Sequence, residues 1–234
     1  MKPSDKSINV FDQQYQDYGV KAQRLYPNEY LIQFIASRYF KLPHKERKNI
    51  RILELGCGSG ANLWMLSKEG FDTYGIDSSK HGLELAAQHL HVKWGVAADL
   101  QYGSFLNLPY GDGFFDAVVD VVSCQHLCLN DSQLALNEAC RVLKTGGAFF
   151  SYRLSDHSVM YEHSGGGRID AATVDNITDN SLPLANNGPM AFWSPVLVRL
   201  MYGQAGLTVC GIERLLRTYF SGTNVEYLAI TGVK

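Results

Sequence analysis

Residues 49–60 read Asn49-Ile50-Arg51-Ile52-Leu53-Glu54-Leu55-Gly56-Cys57-Gly58-Ser59-Gly60. The apolar run 49–55 is too short for a helix and ends in glycines, which predicts a buried strand. A helix is predicted over 61–69, with Gly70 placed to cap its C-terminus. A strand that turns through glycines into a helix brings bare backbone to the crevice end of a sheet. A ligand can approach the main chain closely there.

Working outward, the same pairing of strand and helix recurs. Residues 72–77 form the second strand, and Leu83, Ala86, Ala87 and Leu90 follow at helical spacing. Residues 100–102 are a weak third strand and 116–122 a strong fourth. The helix predicted over 132–143 carries Ala135, Ala139, Val142 and Leu143 on one face, and 148–154 is a fifth strand. Such alternation implies a mostly parallel sheet covered on both sides. The stretch 154–193 breaks the pattern and is rich in Gly, Asn, Asp and Ser. Helix resumes at Ser194-Pro195, an N-cap followed by proline at the first helical position. Strands 207–214 and 225–233, separated by Ser221, Gly222 and Asn224, read as an antiparallel pair. The expected fold is therefore α/β: a doubly wound, Rossmann-like sheet of seven strands, mostly parallel with an antiparallel C-terminal strand, and helices on both faces. Residues 1–48 are expected to form an N-terminal helical cap or flap. Residues 49–234 form the main domain, with an insertion at about 154–193.

Bulk properties narrow the function classes. Of 234 residues, 46% are hydrophobic and 19% charged, the balance of a packed globular chain. No apolar run approaches the ~20 residues of a membrane helix, and the first twenty residues lack the apolar core of a secretory leader. A soluble cytoplasmic protein is expected, with no membrane partner. The net charge of -2 disfavours a nucleic-acid partner. The cysteines Cys57, Cys124, Cys128, Cys140 and Cys210 are odd in number and irregular in spacing, which suggests reduced thiols.

Asp77 closes the second strand and falls beside the glycine crevice, where a carboxylate can accept hydrogen bonds from two ribose hydroxyls. The glycines alone are ambiguous, because Gly56, Gly58 and Ala61 also satisfy a dinucleotide fingerprint. Glu54 tips the balance. A pyrophosphate over this loop would be repelled by a carboxylate, whereas a ligand carrying a sulfonium and an ammonium would be attracted.

Four blocks in order carry a resemblance to the class I S-adenosylmethionine-dependent methyltransferases, over about residues 50–154. They are ILELGCGSG, YGIDSS, FLNLPYGDGFFDAVV and NEACRVLKTGGAFF. The resemblance implies S-adenosyl-L-methionine as cofactor and S-adenosyl-L-homocysteine as product. By position, Glu54, Gly56, Cys57, Gly58 and Gly60 would line the methionine part, and Asp77 with Ser78 the ribose. Ser104 and Phe105 would meet the adenine, where the family more often has an Asp in place of Ser104. Turn and core roles are the alternative for these two. Ser123, at the end of the fourth strand, would face the methyl group. Methyl transfer needs alignment and exclusion of water, plus a general base for some nucleophiles. His126 is the first candidate base, with a purely local hydrogen bond as the alternative, and His157 and Asp156 are second choices. Cys124, His126 and Cys128 lack a fourth ligand and the usual zinc spacing, so no metal is expected.

The insertion lies where the family places substrate recognition. Its HSGGGR run, residues 163–168, reads either as a hinge that offers Arg168 to an anionic group or as a solvent loop. Its polarity favours a small polar methyl acceptor such as a sugar, nucleotide-sugar or carboxylic metabolite, methylated on O or N. Ahead of the first strand, 28–39 is amphipathic through Leu31, Phe34 and Ile35. It reads either as a helix on the sheet edge or as a flap that brings Tyr18, Arg24 or Tyr26 to the site. The basic stretch 41–51 reads as a solvated connection. Three rival readings remain: a methyltransferase acting on protein or RNA, an NAD-dependent oxidoreductase, and a non-catalytic protein that kept the fold.

Overall fold

The computed structural model describes residues 3–219 and 221–234, with side chains from residue 8 onward; the first two residues of the expected N-terminal cap lie outside it. The helices are α1 (Pro3–Tyr18), α2 (Glu29–Tyr39), α3 (Leu63–Lys68), α4 (Lys80–Gln88), α5 (Leu129–Val142), α6 (Val159–His163) and α7 (Pro195–Gln204). The strands are β1 (Arg51–Leu55), β2 (Asp72–Asp77), β3 (Asp99–Tyr102), β4 (Phe115–Val121), β5 (Leu143–Leu154), β6 (Thr173–Val174), β7 (Met190–Ala191), β8 (Thr208–Thr218) and β9 (Asn224–Val233).

Seven strands form one sheet in the order β3-β2-β1-β4-β5-β9-β8. The pairs from β3 to β5 are parallel, and β9 runs antiparallel to both its neighbours. The expected architecture is present. Strand order reverses between β1 and β4, so a crevice opens at their carboxyl ends. Period-two alternation divides the core. Leu53, Leu55 and Val118 pack with α5 and α7 on one face, while Ile52, Ala117 and Val119 pack with α2 and α3 on the other.

Local signals account for several boundaries. Asn28 caps α2 by accepting from Tyr30 N and Leu31 N, and Ser194 caps α7 by accepting from Leu197 N. Helix α2 buries Leu31, Phe34 and Ile35 against the sheet, so it packs on the sheet and is no flap. The element that covers the crevice is α1, which periodicity did not single out. The insertion is not wholly irregular. It contains α6, the β6–β7 hairpin and its own core of Met160, Val174, Ile177, Met190 and Phe192. Asp170 ties it to the main domain by accepting from Leu129 N, the first residue of α5. None of the described helices is long and apolar enough to cross a membrane.

Candidate active site

A cavity of about 560 Å³ opens at the carboxyl ends of β1, β2 and β4. Its floor is the glycine loop. Gly56 and Gly58 have φ of 66° and 49°, the left-handed region that favours glycine. Space is as restrictive as conformation. A Cβ on Gly56 would lie 2.4 Å from Ser123 Cβ, and one on Gly58 would lie 2.2 Å from the Tyr15 hydroxyl. Gly60 does not line the cavity, contrary to expectation. A Cβ there would lie 3.3 Å from Ala86 Cβ, so this glycine serves the packing of the loop against α4.

Asp77 reaches the cavity from the end of β2. Its Oδ2 accepts from Gly58 N at 2.8 Å and its Oδ1 from Ser79 N at 2.8 Å. Burial pushes its carboxyl up, and the amides of Ser79 and Gly58 oppose that rise. Each oxygen keeps lone-pair capacity for a further donor. Cys57 and Ser78 line the wall beside it. The Cys57 thiol is held well above its ordinary range, chiefly by burial, and so is uncharged.

Glu54 is 2% exposed and also lines the cavity. Its Oε1 accepts from Asn62 Nδ2, and its Oε2 has no hydrogen-bond partner among the described residues. Burial pushes the carboxyl up to about 8, despite the opposing effects of Asn62 and Arg24. Asn62 also accepts from Asn28 N at 2.9 Å and so fastens the segment before α2 to Glu54. Arg24 belongs to that segment. Among the described residues it is the one lysine or arginine on the cavity wall. Burial lowers its pKa, and the Glu54 charge works against that. Tyr18 and Tyr26 do not reach the cavity and are 65% and 60% exposed.

Ser104 and Phe105 line the far side. Ser104 Oγ accepts from Leu106 N at 3.2 Å, so the serine is a turn residue as well as a wall residue. Phe105 packs against the main core from the same position. Asp131 and Leu134 of α5 complete this side. Ser123 lies where the loop after β4 meets the glycine loop and donates from Oγ to the Gly56 carbonyl at 2.9 Å.

His126 is half-buried and lines the cavity. Its Nδ1 lies 3.0 Å from the Pro189 carbonyl. A carbonyl only accepts, so Nδ1 carries the proton and Nε2 keeps its lone pair. Burial lowers the pKa to about 4, against the effect of the Pro189 bond. Phe11 of α1 meets the imidazole edge-on, with ring centroids 4.7 Å apart. His157 stands elsewhere. It is exposed and does not touch the cavity, and neither does Asp156. Both follow β5, but the chain turns outward into α6 before reaching the crevice. Arg168 is likewise exposed; it donates to the Tyr161 carbonyl at 2.8 Å and lies over the Tyr161 ring.

The wall residues that sequence reasoning missed come from α1 and the insertion. Ile8, Phe11 and Tyr15 form the roof, and Leu184, Asn187 and Met190 form a side. Gln14 Nε2 donates to Asn187 Oδ1 at 2.9 Å and joins the two. On the opposite flank, Asp12 accepts from Ser79 Oγ at 2.6 Å and meets His81 Nδ1 at 3.0 Å. The spacing of Ile8, Phe11 and Tyr15 at i, i+3 and i+7 is a helical stripe that was open to reading.

Residues 53–151 match the family described as a methyltransferase domain. An uncharacterized methyltransferase of Bacillus subtilis, YcgJ, is 30% identical over 111 residues, which cover 47% of this chain and 42% of that protein. The malonyl-[acyl-carrier protein] O-methyltransferase of Buchnera aphidicola is 25% identical over 89% of this chain and 82% of its own length. The chain thus spans less than half the length of the first curated relatives it matches. Among solved structures, the 1,6-didemethyltoxoflavin-N1-methyltransferase of Burkholderia thailandensis superposes with a TM-score of 0.69 at 15% identity. That alignment covers 97% of this chain and 86% of the other, and shows a shared fold.

Proposed function

We propose that this chain, whose residues 53–151 match a methyltransferase domain, is a class I S-adenosylmethionine-dependent methyltransferase that moves a methyl group from S-adenosyl-L-methionine to an oxygen or nitrogen of a small-molecule acceptor, releasing S-adenosyl-L-homocysteine. The observation that carries this reading is Glu54, a buried carboxyl group beside the glycine loop with one oxygen unpartnered among the described residues. It can ionise against a cationic ligand, whereas a pyrophosphate would oppose that ionisation, which favours a cationic ligand over a nicotinamide dinucleotide.

The residues present fit the cofactor. Glu54 would take its ammonium and Arg24 its carboxylate. The lone pairs remaining on Asp77 would accept from the ribose hydroxyls, and Ser104 with Phe105 would border the adenine. When bound, S-adenosyl-L-methionine supplies a methyl group already activated by positive sulfur. The chain's own task is then to align the acceptor and keep water out. Ile8, Phe11, Leu184 and Met190 make the apolar enclosure. His126, fixed in one tautomer by Pro189, offers Nε2 to the acceptor's O–H or N–H and takes up its proton.

The polarity of the insertion suggested a sugar-like acceptor. Of its residues only Leu184, Asn187 and Met190 reach the cavity, and two of these are apolar. We therefore favour an acceptor with an apolar body and a single heteroatom at His126. The deciding experiment is calorimetric titration with S-adenosyl-L-methionine, S-adenosyl-L-homocysteine and NAD in parallel. Saturable binding of both adenosyl ligands and none of NAD is expected; binding of NAD alone would overturn the reading.

A further inference from the structure

Beneath the cavity floor the chain buries another acidic side chain, Asp120 of β4, with no exposure. Its Oδ1 accepts from Ser123 N at 3.0 Å and from Cys124 N at 2.9 Å, while its Oδ2 accepts from Ser151 Oγ at 2.7 Å. Removing a carboxylate from water is costly unless it is bonded in this way. The turn it grips is strained. Val122 has φ of 60°, a region that β-branched residues rarely enter. That turn carries Ser123, wedged against Gly56, and His126, whose amide donates to the Ser123 carbonyl at 3.1 Å.

The counter-charge comes from the next strand. Asp120 pairs with Ser151 in the β4–β5 register, and Arg153 lies two residues on, on the same face of β5. Arg153 is 1% exposed, with its guanidinium 3.4 Å from the centre of the Trp193 ring. Its Nε and Nη2 have no hydrogen-bond partner among the described residues. Asp120, Arg153, Cys124 and Ser132 surround a small void of about 10 Å³, the room of a single water.

We infer that Asp120 is a positioning residue for methyl transfer. Its carboxylate, balanced by Arg153 across this void, holds the strained turn. Ser123 thereby sets the glycine loop, and His126 presents Nε2 to the acceptor. This rests on the methyl-transfer reading above.

Two variants and one double variant test it, through S-adenosyl-L-homocysteine affinity at a temperature where all are folded, the ¹⁵N resonances of the His126 ring, and Tm. Asp120→Ala frees both amides; affinity falls by at least about tenfold and the resonances move. Asp120→Asn keeps an oxygen for the two amides and an NH₂ for Ser151. Affinity returns to within about threefold of the unaltered protein and the resonances return, while Tm stays depressed because Arg153 has lost its counter-charge. Asp120→Asn with Arg153→Met recovers the Tm. A purely structural role makes affinity track Tm through the series; that pattern, or unaltered affinity in Asp120→Ala, overturns the inference. If the unaltered protein fails to bind S-adenosyl-L-homocysteine, the methyl-transfer reading falls. The His126 resonances then decide the positioning role alone, and unmoved resonances in Asp120→Ala reject it.

Discussion

Glu54 should give up a proton when the cofactor binds. Its carboxyl is raised to about 8, chiefly by burial. At pH 7 roughly nine-tenths of the ligand-free protein therefore carries a neutral Glu54. An ammonium placed against it favours the ionised form, so binding should expel about 0.9 proton at this site. Ionising the group at pH 7 costs about 1.4 kcal/mol. Affinity should accordingly be about tenfold weaker at pH 7 than on the plateau above pH 9, and fall about tenfold for each unit below pH 7. Calorimetry in buffers of different ionisation enthalpy counts the protons. The ligand's own amino group also titrates, so the diagnostic quantity is the difference between the unaltered protein and Glu54→Gln. That variant should bind more weakly and lose the Glu54 proton. Identical proton release and identical pH dependence in the two proteins would refute the argument, since Glu54 would then not meet the cationic end of the ligand.

The same group should make the ligand-free protein less stable as pH rises. A folded pKa raised from 4.5 to about 8 adds stability that is complete below pH 4.5 and lost as pH climbs through 8. Between pH 6.5 and 8 the loss is roughly 2 kcal/mol, measurable by urea denaturation and absent from Glu54→Gln. His126 has the opposite sign. Its pKa is depressed to about 4, so the stability it contributes is present above pH 6.5 and lost as pH falls through 4, and an NMR titration should place its midpoint near 4; a midpoint above 6 contradicts its burial. Asp77→Ala removes the acceptor for Gly58 N and Ser79 N along with the proposed ribose contacts. Charge-assisted hydrogen bonds are worth about 1.5–3 kcal/mol each, so cofactor affinity should drop by more than about a hundredfold, and unchanged affinity would remove that role. Gly58→Ala drives a Cβ to 2.2 Å from the Tyr15 hydroxyl and should loosen α1, seen as faster amide exchange over residues 8–18. Tyr15→Phe in the same chain removes the colliding oxygen and should restore part of the protection.

Parts of this molecule were open to sequence reading because their causes are local. A strand ending in Gly56-Cys57-Gly58 has few conformations that bury Ile52 and Leu53 on opposite faces. Ser194-Pro195 satisfies the amides of α7 from its own side chain. Asp77 lies at a strand end that period-two burial makes readable. Other features depended on partners distant in sequence. Gly60 matched the motif, yet its place is against Ala86, and only the packing of α4 separates that role from ligand contact. His157 followed a strand that ends at the crevice, but the turn into α6 carries it outward. Arg153 falls inside the predicted strand 148–154, but its burial over Trp193 depends on a partner distant in sequence.

This difference divides the cavity itself. The half proposed for the cofactor is built mainly from the turns after β1, β2, β3 and β4, with Arg24 added from the segment before α2, so most of its residues' places follow from a short stretch of backbone. The half proposed for the acceptor forms where three remote segments meet: Phe11 against His126, Gln14 on Asn187, and His126 on Pro189. Apart from Phe11, which belongs to the helical stripe of Ile8 and Tyr15, these residues follow no periodicity or motif, because each is a single side chain bridging separately folded pieces. Substitutions that retune acceptor choice should therefore concentrate in α1 and the insertion and leave cofactor affinity nearly intact, since Phe11, Leu184 and Met190 bear on the enclosure and make no hydrogen bond to the glycine loop. A Phe11→Ala protein that kept its cofactor affinity but lost discrimination among acceptors would show the two halves to be separable. Loss of cofactor affinity in the same protein would show instead that the roof is part of the cofactor site, with its closure already contributing to the first binding step.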